Sequence, residues 1–235
     1  MKTLILAFGF LFASGIAGAQ RIYYTEIERD DYRQMNFEII GKVGGNINVY
    51  KNYRNKNDIS VYFNDMKLKN KVRLEFMPDR LINVDFVVYP DHYYMIYQHQ
   101  RKNIVYCTAV KMNGEGKMMT DPVQLDTSHI SSFNESKVYS VINSEDKQKM
   151  MVFKVNKKNE KHYVITTFLY NANLELQKKN VLYTPSVTRE ELFTDFILDN
   201  DGDLSFGRTG RGGNREYITK LDLIIKKASE DTLQI

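Results

Sequence analysis

The sequence predicts an all-β protein assembled from repeated four-stranded antiparallel units. Three observations lead there. The 235 residues include 16 Tyr and 13 Phe with no Trp, and Tyr and Phe suit half-buried pleated surfaces. Beyond Ala19 nothing sustains a 3.6-residue apolar period over several turns; Glu190-Glu191-Leu192 can start at most one helical turn. Finally, four segments share one grammar: apolar strand, tight polar turn, strand, loop, longer strand, turn, short strand.

The elements follow in chain order. Lys2 precedes an apolar run from Leu4 to Phe12, and small residues then end in Ala17-Gly18-Ala19. This is the layout of a cleaved secretory signal peptide over residues 1–19, too short for the roughly 20 apolar residues of a spanning helix. Residues 20–235 are then expected as one exported domain with repeats near 37–78, 84–126, 137–184 and 193–235. The first repeat runs through Phe37, Gly44-Gly45, Ile47 to Tyr50, Asp58 to Phe63, Asn64-Asp65 and Val72 to Phe76. The second reads Val84 to Tyr89, Pro90-Asp91, Tyr93 to Gln98, a basic loop at Arg101-Lys102-Asn103, Ile104 to Met112, Asn113 to Gly116, and Val123 to Leu125. The third reads Val138 to Asn143, Ser144-Glu145-Asp146, Met150 to Val155, a Lys/Asn loop, His162 to Tyr170, Asn171-Ala172-Asn173, and Val181 to Tyr183. The fourth reads Phe193 to Leu198, Asp199 to Asp203, Leu204 to Gly207, a Gly/Arg loop, Glu216 to Leu223, and Thr232 to Ile235. First turns at Gly45, Asp91, Asp146 and Gly202 are spaced by 46, 55 and 56 residues.

Four strands in about fifty residues resemble a β-propeller blade. The resemblance is to exported, bacterial-type propeller-like repeat proteins and to no specific family; no Gly-His…Trp-Asp signature is present. Asp199-Asn200-Asp201-Gly202-Asp203-Leu204 is similar to the hairpin turns of NHL-type and gluconolactonase-like propellers. The resemblance implies either a four-bladed ring, closed by a strand at Ile22-Tyr23-Tyr24, or an incomplete part of a larger ring.

Composition narrows the function classes. Lys and Arg total 33 against 29 Asp and Glu, a net charge of +4 with the signs mixed along the chain, which is no nucleic-acid footprint. The lone Cys107 cannot form an internal disulfide and sits in a β-type apolar run, as a small buried hydrophobe would. Charges such as Lys149, Lys154 and Arg215 fit poorly with a lipid-facing barrel.

No linear motif assigns a catalytic residue, a cofactor or a metal ligand. Asp199, Asp201 and Asp203 either form a turn or hold calcium, although the EF-hand spacing is absent. The run Gly207 to Arg215 is expected as an inter-strand loop, with anion binding the alternative. His92, His99, His129 and His162 lack ligand spacing. Asp126, Ser128 and His129 are neighbours without a nucleophile elbow. Tyr89, Tyr93, Tyr94, Tyr97 and Tyr106 read as packing between blades. Asn134-Glu135-Ser136 fits a glycosylation sequon. The expectation is a non-catalytic periplasmic or secreted module, without a membrane span, that recognises a protein, peptide or glycan through loops on one face. The alternative is a propeller enzyme, of glycoside hydrolase or lactonase type, with acids scattered over several blades.

Overall fold

The computed structural model describes residues 21–26, 35–54, 56–131, 136–187, 190–211 and 217–235; the segment expected as a signal peptide, Asn134-Glu135 and Gly212 to Glu216 lie outside them. Among the described residues fifteen strands form four separate antiparallel meanders. The first blade holds β1 (Met35–Val43), β2 (Asn46–Tyr53), β3 (Lys56–Tyr62) and β4 (Leu68–Arg73). The second holds β5 (Leu81–Val88), β6 (His92–Arg101), β7 (Ile104–Asn113) and β8 (Val123–His129). The third holds β9 (Ser140–Asn143), β10 (Lys149–Asn159), β11 (His162–Asn171) and β12 (Leu176–Pro185), and the fourth β13 (Glu190–Leu198), β14 (Leu204–Arg211) and β15 (Lys220–Lys226). The all-β, propeller-like expectation holds, and none of the four sheets closes on itself.

The central strands of the middle two blades read as near-continuous apolar runs because they are covered on both faces. Along β6, Tyr93, Met95 and Tyr97 face the first blade, with Tyr50, Ile59 and Val61 opposite. Tyr94 and Ile96 face the third, against Met150, Val152 and Phe168. The core between the third and fourth blades joins Met151, Phe153 and Ile165 to Leu204, Phe206 and Ile224. Tyr89, Tyr93, Tyr94 and Tyr97 are buried and Tyr106 partly so; Cys107 is fully buried in the middle core.

Five hairpins share one geometry. The carbonyls of Phe63, Asn113, Ser144, Asn171 and Asp199 each accept from the amide three residues on: Met66, Gly116, Lys147, Leu174 and Gly202. Those five acceptors' partners all have positive φ, the signature of a type I turn followed by a left-handed bulge residue. Asn113, Asn171 and Asp199 also cap their own turns, each Oδ1 accepting from amides two and four residues on. This accounts for the Asp/Gly run at 199–203. Asp199 is used by its backbone, while Asp203 bonds Lys227 Nζ at 2.6 Å and the Ala228 amide at 2.6 Å.

Four expectations are corrected. The last strand of the first repeat is Leu68–Arg73, not Val72 to Phe76, because Leu74 and Phe76 leave the sheet to pack under the second blade. Thr232 to Ile235 forms no full strand: a single bridge pairs Gln234 with Ile225. Ile22, Tyr23 and Tyr24 form no strand and are exposed. Residues 207–211, expected in a loop, continue β14.

Candidate functional site

In each meander the first and third turns lie at one end of the sheet, and the second loop and the outgoing connector at the other. The blades share one orientation, since first turn bonds to first turn. The Gly44 amide donates to Pro90 O (2.8 Å), Lys147 Nζ to Val88 O (2.7 Å), and the Asp146 amide to Asn200 Oδ1 (3.2 Å). The molecule thus has a turn face and a connector face. On the turn face the first and second blades approach closely at Gly114, where a Cβ would come within 2.3 Å of Val43 O, so only glycine fits that approach.

The connector face keeps open polar clefts. One of about 410 Å³ between the second and third blades is lined by Thr127, Ser128, His129, Lys137, Lys154 and Asn156. A second, about 420 Å³, lies between Pro78–Arg80 and His99–Lys102. A third, about 260 Å³, is lined by Asn36, Glu38, Asn52 and Asn83 beside Tyr50.

The floor of the first cleft is a hydrogen-bonded cluster. Lys154 Nζ donates to Asp126 Oδ2 (2.6 Å), Ser128 Oγ (2.8 Å) and Thr127 O (3.3 Å). The Tyr139 hydroxyl donates to Asp126 Oδ2 at 2.8 Å and lies 2.8 Å from Ser128 Oγ. Burial above all, with the Asp126 carboxylate adding to it, pushes the Tyr139 phenol well above its ordinary range, so it remains a donor. Asp126 and Ser128 therefore meet, but around Lys154 and Tyr139. His129 lines the same cleft, but among the described residues no hydrogen bond joins it to Ser128 or Asp126, and no Ser-His-Asp relay forms. His92 stacks on Tyr89 at 4.6 Å and His99 on Tyr106 at 5.0 Å, each in its own surroundings.

Beneath the cluster, fully buried Gln98 clamps the connector that enters the third blade. Its Oε1 accepts from the Val138 and Tyr139 amides (3.0 and 2.8 Å), and its Nε2 donates to Tyr139 O (2.7 Å). Lys137 bonds Asp85 at 2.7 Å. Burial first raises the Asp85 carboxyl, against the pull of Lys137; partial desolvation and then Asp85 raise Glu38. Glu38 on β1 thus lies close enough to Asp85 on β5 to feel its charge.

The Gly/Arg run has a different role from the one its composition suggests. Arg208 is buried; Nε and Nη2 bond Asp222 Oδ2 (3.0 and 2.6 Å), and Nη1 donates to Thr184 Oγ1 (3.0 Å) and Pro185 O (2.9 Å). Its guanidinium fastens the fourth blade to the third and is not open to a ligand. Lys154 and Arg208 occupy equivalent places, each the fifth residue after the one closing its blade's first turn, Lys149 and Asp203. The same place in the second blade is Tyr97, which meets Phe76 at 6.2 Å. At all three junctions this position of the second strand reaches the end of the preceding blade.

Among the described residues, no group of three or more His, Cys, Asp or Glu converges in a metal-binding arrangement, and no helix is long and apolar enough to cross a membrane. No protein-family model matches the chain, and comparison with curated proteins finds no match.

Proposed function

We propose that the protein is an exported, non-catalytic binding module, periplasmic or secreted after cleavage behind Ala19, that holds a protein, peptide or glycan on its connector face. One observation carries this reading. The connector face presents several polar clefts, and the floor of the one between the second and third blades is fixed by buried bonds, whereas the cavity of about 480 Å³ beside the Gly116–Met118 turn is lined mainly by apolar side chains such as Leu74, Phe76 and Met112. A rigid floor with open hydrogen-bonding groups suits recognition. In the first cleft Lys154 has all three ammonium hydrogens engaged within the protein, which leaves positioning as its work. The test is capture of labelled protein on glycan and peptide arrays, with Asn156→Ala and His129→Ala as cleft variants. The reading requires ligands whose retention both variants reduce; retention of nothing, or of ligands indifferent to both, refutes it.

Glu38 and Asp85 favour a second reading. Two interacting carboxylates, both raised, are what a propeller hydrolase would use. Turnover of chromogenic glycosides or lactones that Glu38→Gln and Asp85→Asn each abolish would replace the binding reading with this one.

A further inference from the structure

Lysines sit in different surroundings on the two faces. On the turn face four are paired with carboxylates, Lys67 with Asp65 (3.2 Å), Lys69 with Glu115 (2.6 Å), Lys178 with Asp231 (2.8 Å) and Lys227 with Asp203 (2.6 Å), while the exposed Lys117 and Lys147 stand apart from one another and form no ion pair among the described residues. On the connector face the second loops of neighbouring blades carry Arg101-Lys102 and Lys157-Lys158…Lys161, all exposed. Among the described residues none of these five cations forms an ion pair. Lys157 and Lys158 rest over the rings of Tyr163 and Tyr183, at 5.6 and 4.8 Å from the centroids, which supports the stems and leaves the charge uncompensated.

These loops flank the two larger polar clefts, one at His99–Lys102 and the other at Lys154–Asn156. The loop tips, Arg101-Lys102-Asn103 and Asn156 to Lys161, contain no apolar residue. A protein partner needs buried apolar or aromatic anchors at the centre of its contact, and a lipid surface needs apolar side chains to insert. These tips offer neither. What they offer is a net positive charge, five cations against the single carboxylate of Glu160, beside amide, imidazole and hydroxyl groups in the clefts.

We infer that the connector face of the second and third blades binds an anionic polysaccharide, carboxylated or sulfated, laid across both second loops. This rests on the binding-module reading and names its ligand class. The experiment measures affinity of the full chain for size-defined polygalacturonate and heparin oligosaccharides, with neutral dextran alongside, at about 50 and about 200 mM salt. Binding of one or both anionic probes is expected, with affinity about tenfold lower at the higher salt. A triple Lys157→Glu/Lys158→Glu/Lys161→Glu variant should lose at least about tenfold, and Arg101→Glu/Lys102→Glu a comparable factor. Lys67→Glu and Lys117→Glu on the turn face should change affinity less than about twofold. Equal losses from both faces, or binding of an acidic peptide or anionic vesicles without either polysaccharide, overturns the inference. Neutral ligands held on the connector face and indifferent to salt and charge reversal would overturn it while sparing the binding module; retention of no ligand sinks both.

Discussion

Replacing Gln98 by Leu removes three hydrogen bonds at once from a place water does not reach. The Gln98 side chain is fully buried, and its amide is the partner of the Val138 and Tyr139 amides and of Tyr139 O. Leucine fills a similar volume, so the cost is not a cavity but three backbone groups left without partners. Each costs about 1–3 kcal/mol if it stays dry. Burying Leu where Gln stood returns about 1–2 kcal/mol, and Val138, only partly buried, recovers some hydration. The net expectation is a loss of about 2–4 kcal/mol, read as a lower urea midpoint at unchanged slope. Asn180→Ala, which removes an exposed bond to Asp231, serves as the control at under about 0.5 kcal/mol. Tyr139→Phe, which removes the hydroxyl bonds to Asp126, Ser128 and Lys154, should couple to Gln98→Leu because both hold the same connector. A loss below about 1 kcal/mol for Gln98→Leu, or strict additivity with Tyr139→Phe, would refute the claim that this clamp fixes the floor of the cleft.

Arg208→Met should destabilise by about 1–3 kcal/mol in chemical melts, because it removes the charge-assisted bonds to Asp222, Thr184 and Pro185 and leaves Asp222 with Lys220 alone (3.2 Å). The Arg208 bond chiefly, assisted by Lys220, lowers the Asp222 carboxyl; its stabilisation is complete above about 3.9, the unfolded Asp value, and fades as pH falls through the lower folded value. Midpoints measured against pH should therefore fall less steeply below about pH 4 in Arg208→Met than in the parent; parallel curves would disprove the linkage. Cys107, pushed up to about 12 by burial first and Asp126 next, should resist iodoacetamide at pH 8 until denaturant unfolds the chain; rapid labelling of folded protein would contradict the core assignment. Gly202→Ala should cost about 1 kcal/mol more than Gly45→Ala in thermal melts. Both glycines have positive φ, but only at Gly202 does a new Cβ meet Leu169, at 3.1 Å.

Much of the fold was legible because strands and turns leave local marks. Met150 to Val155 and Tyr163 to Tyr170 carry β-type residues, and Asn113, Asn171 and Asp199 are the residue types that cap a turn through their own side chains. Where local marks and tertiary demand part, the reading failed. Leu74 and Phe76 look like the continuation of a strand, yet the gap under the second blade takes them out of the sheet. The glycines around Arg208 suggest a loose loop, but Gly207 and Gly210 stand in register opposite Thr194 and Glu191. The clefts were less legible still. Gln98 is one amide in an apolar strand, and only the distant connector shows why it is there. Lys51, Tyr97, Lys154 and Arg208 share one structural position, but their dissimilar side chains hide the equivalence. The basic loops were visible as Arg101-Lys102 and a Lys/Asn run. Their common face became apparent only once the meanders were stacked.

The junctions described above link each blade to its sequence neighbours, through one core apiece. Such a molecule behaves as a short one-dimensional chain of coupled units, whose cooperativity depends on nearest-neighbour terms. The middle two blades are held from both sides; the first and the fourth, among the described residues, share a core with a single neighbour. Amide exchange should reveal this as a gradient: slowest in β6, β7, β10 and β11, faster toward β1 and β15, with terminal blades opening while the centre stays protected. The second and third blades, which carry the proposed ligand face, would then be the last part of the molecule to lose its shape, and a ligand bridging them would tighten the one junction on which that face depends.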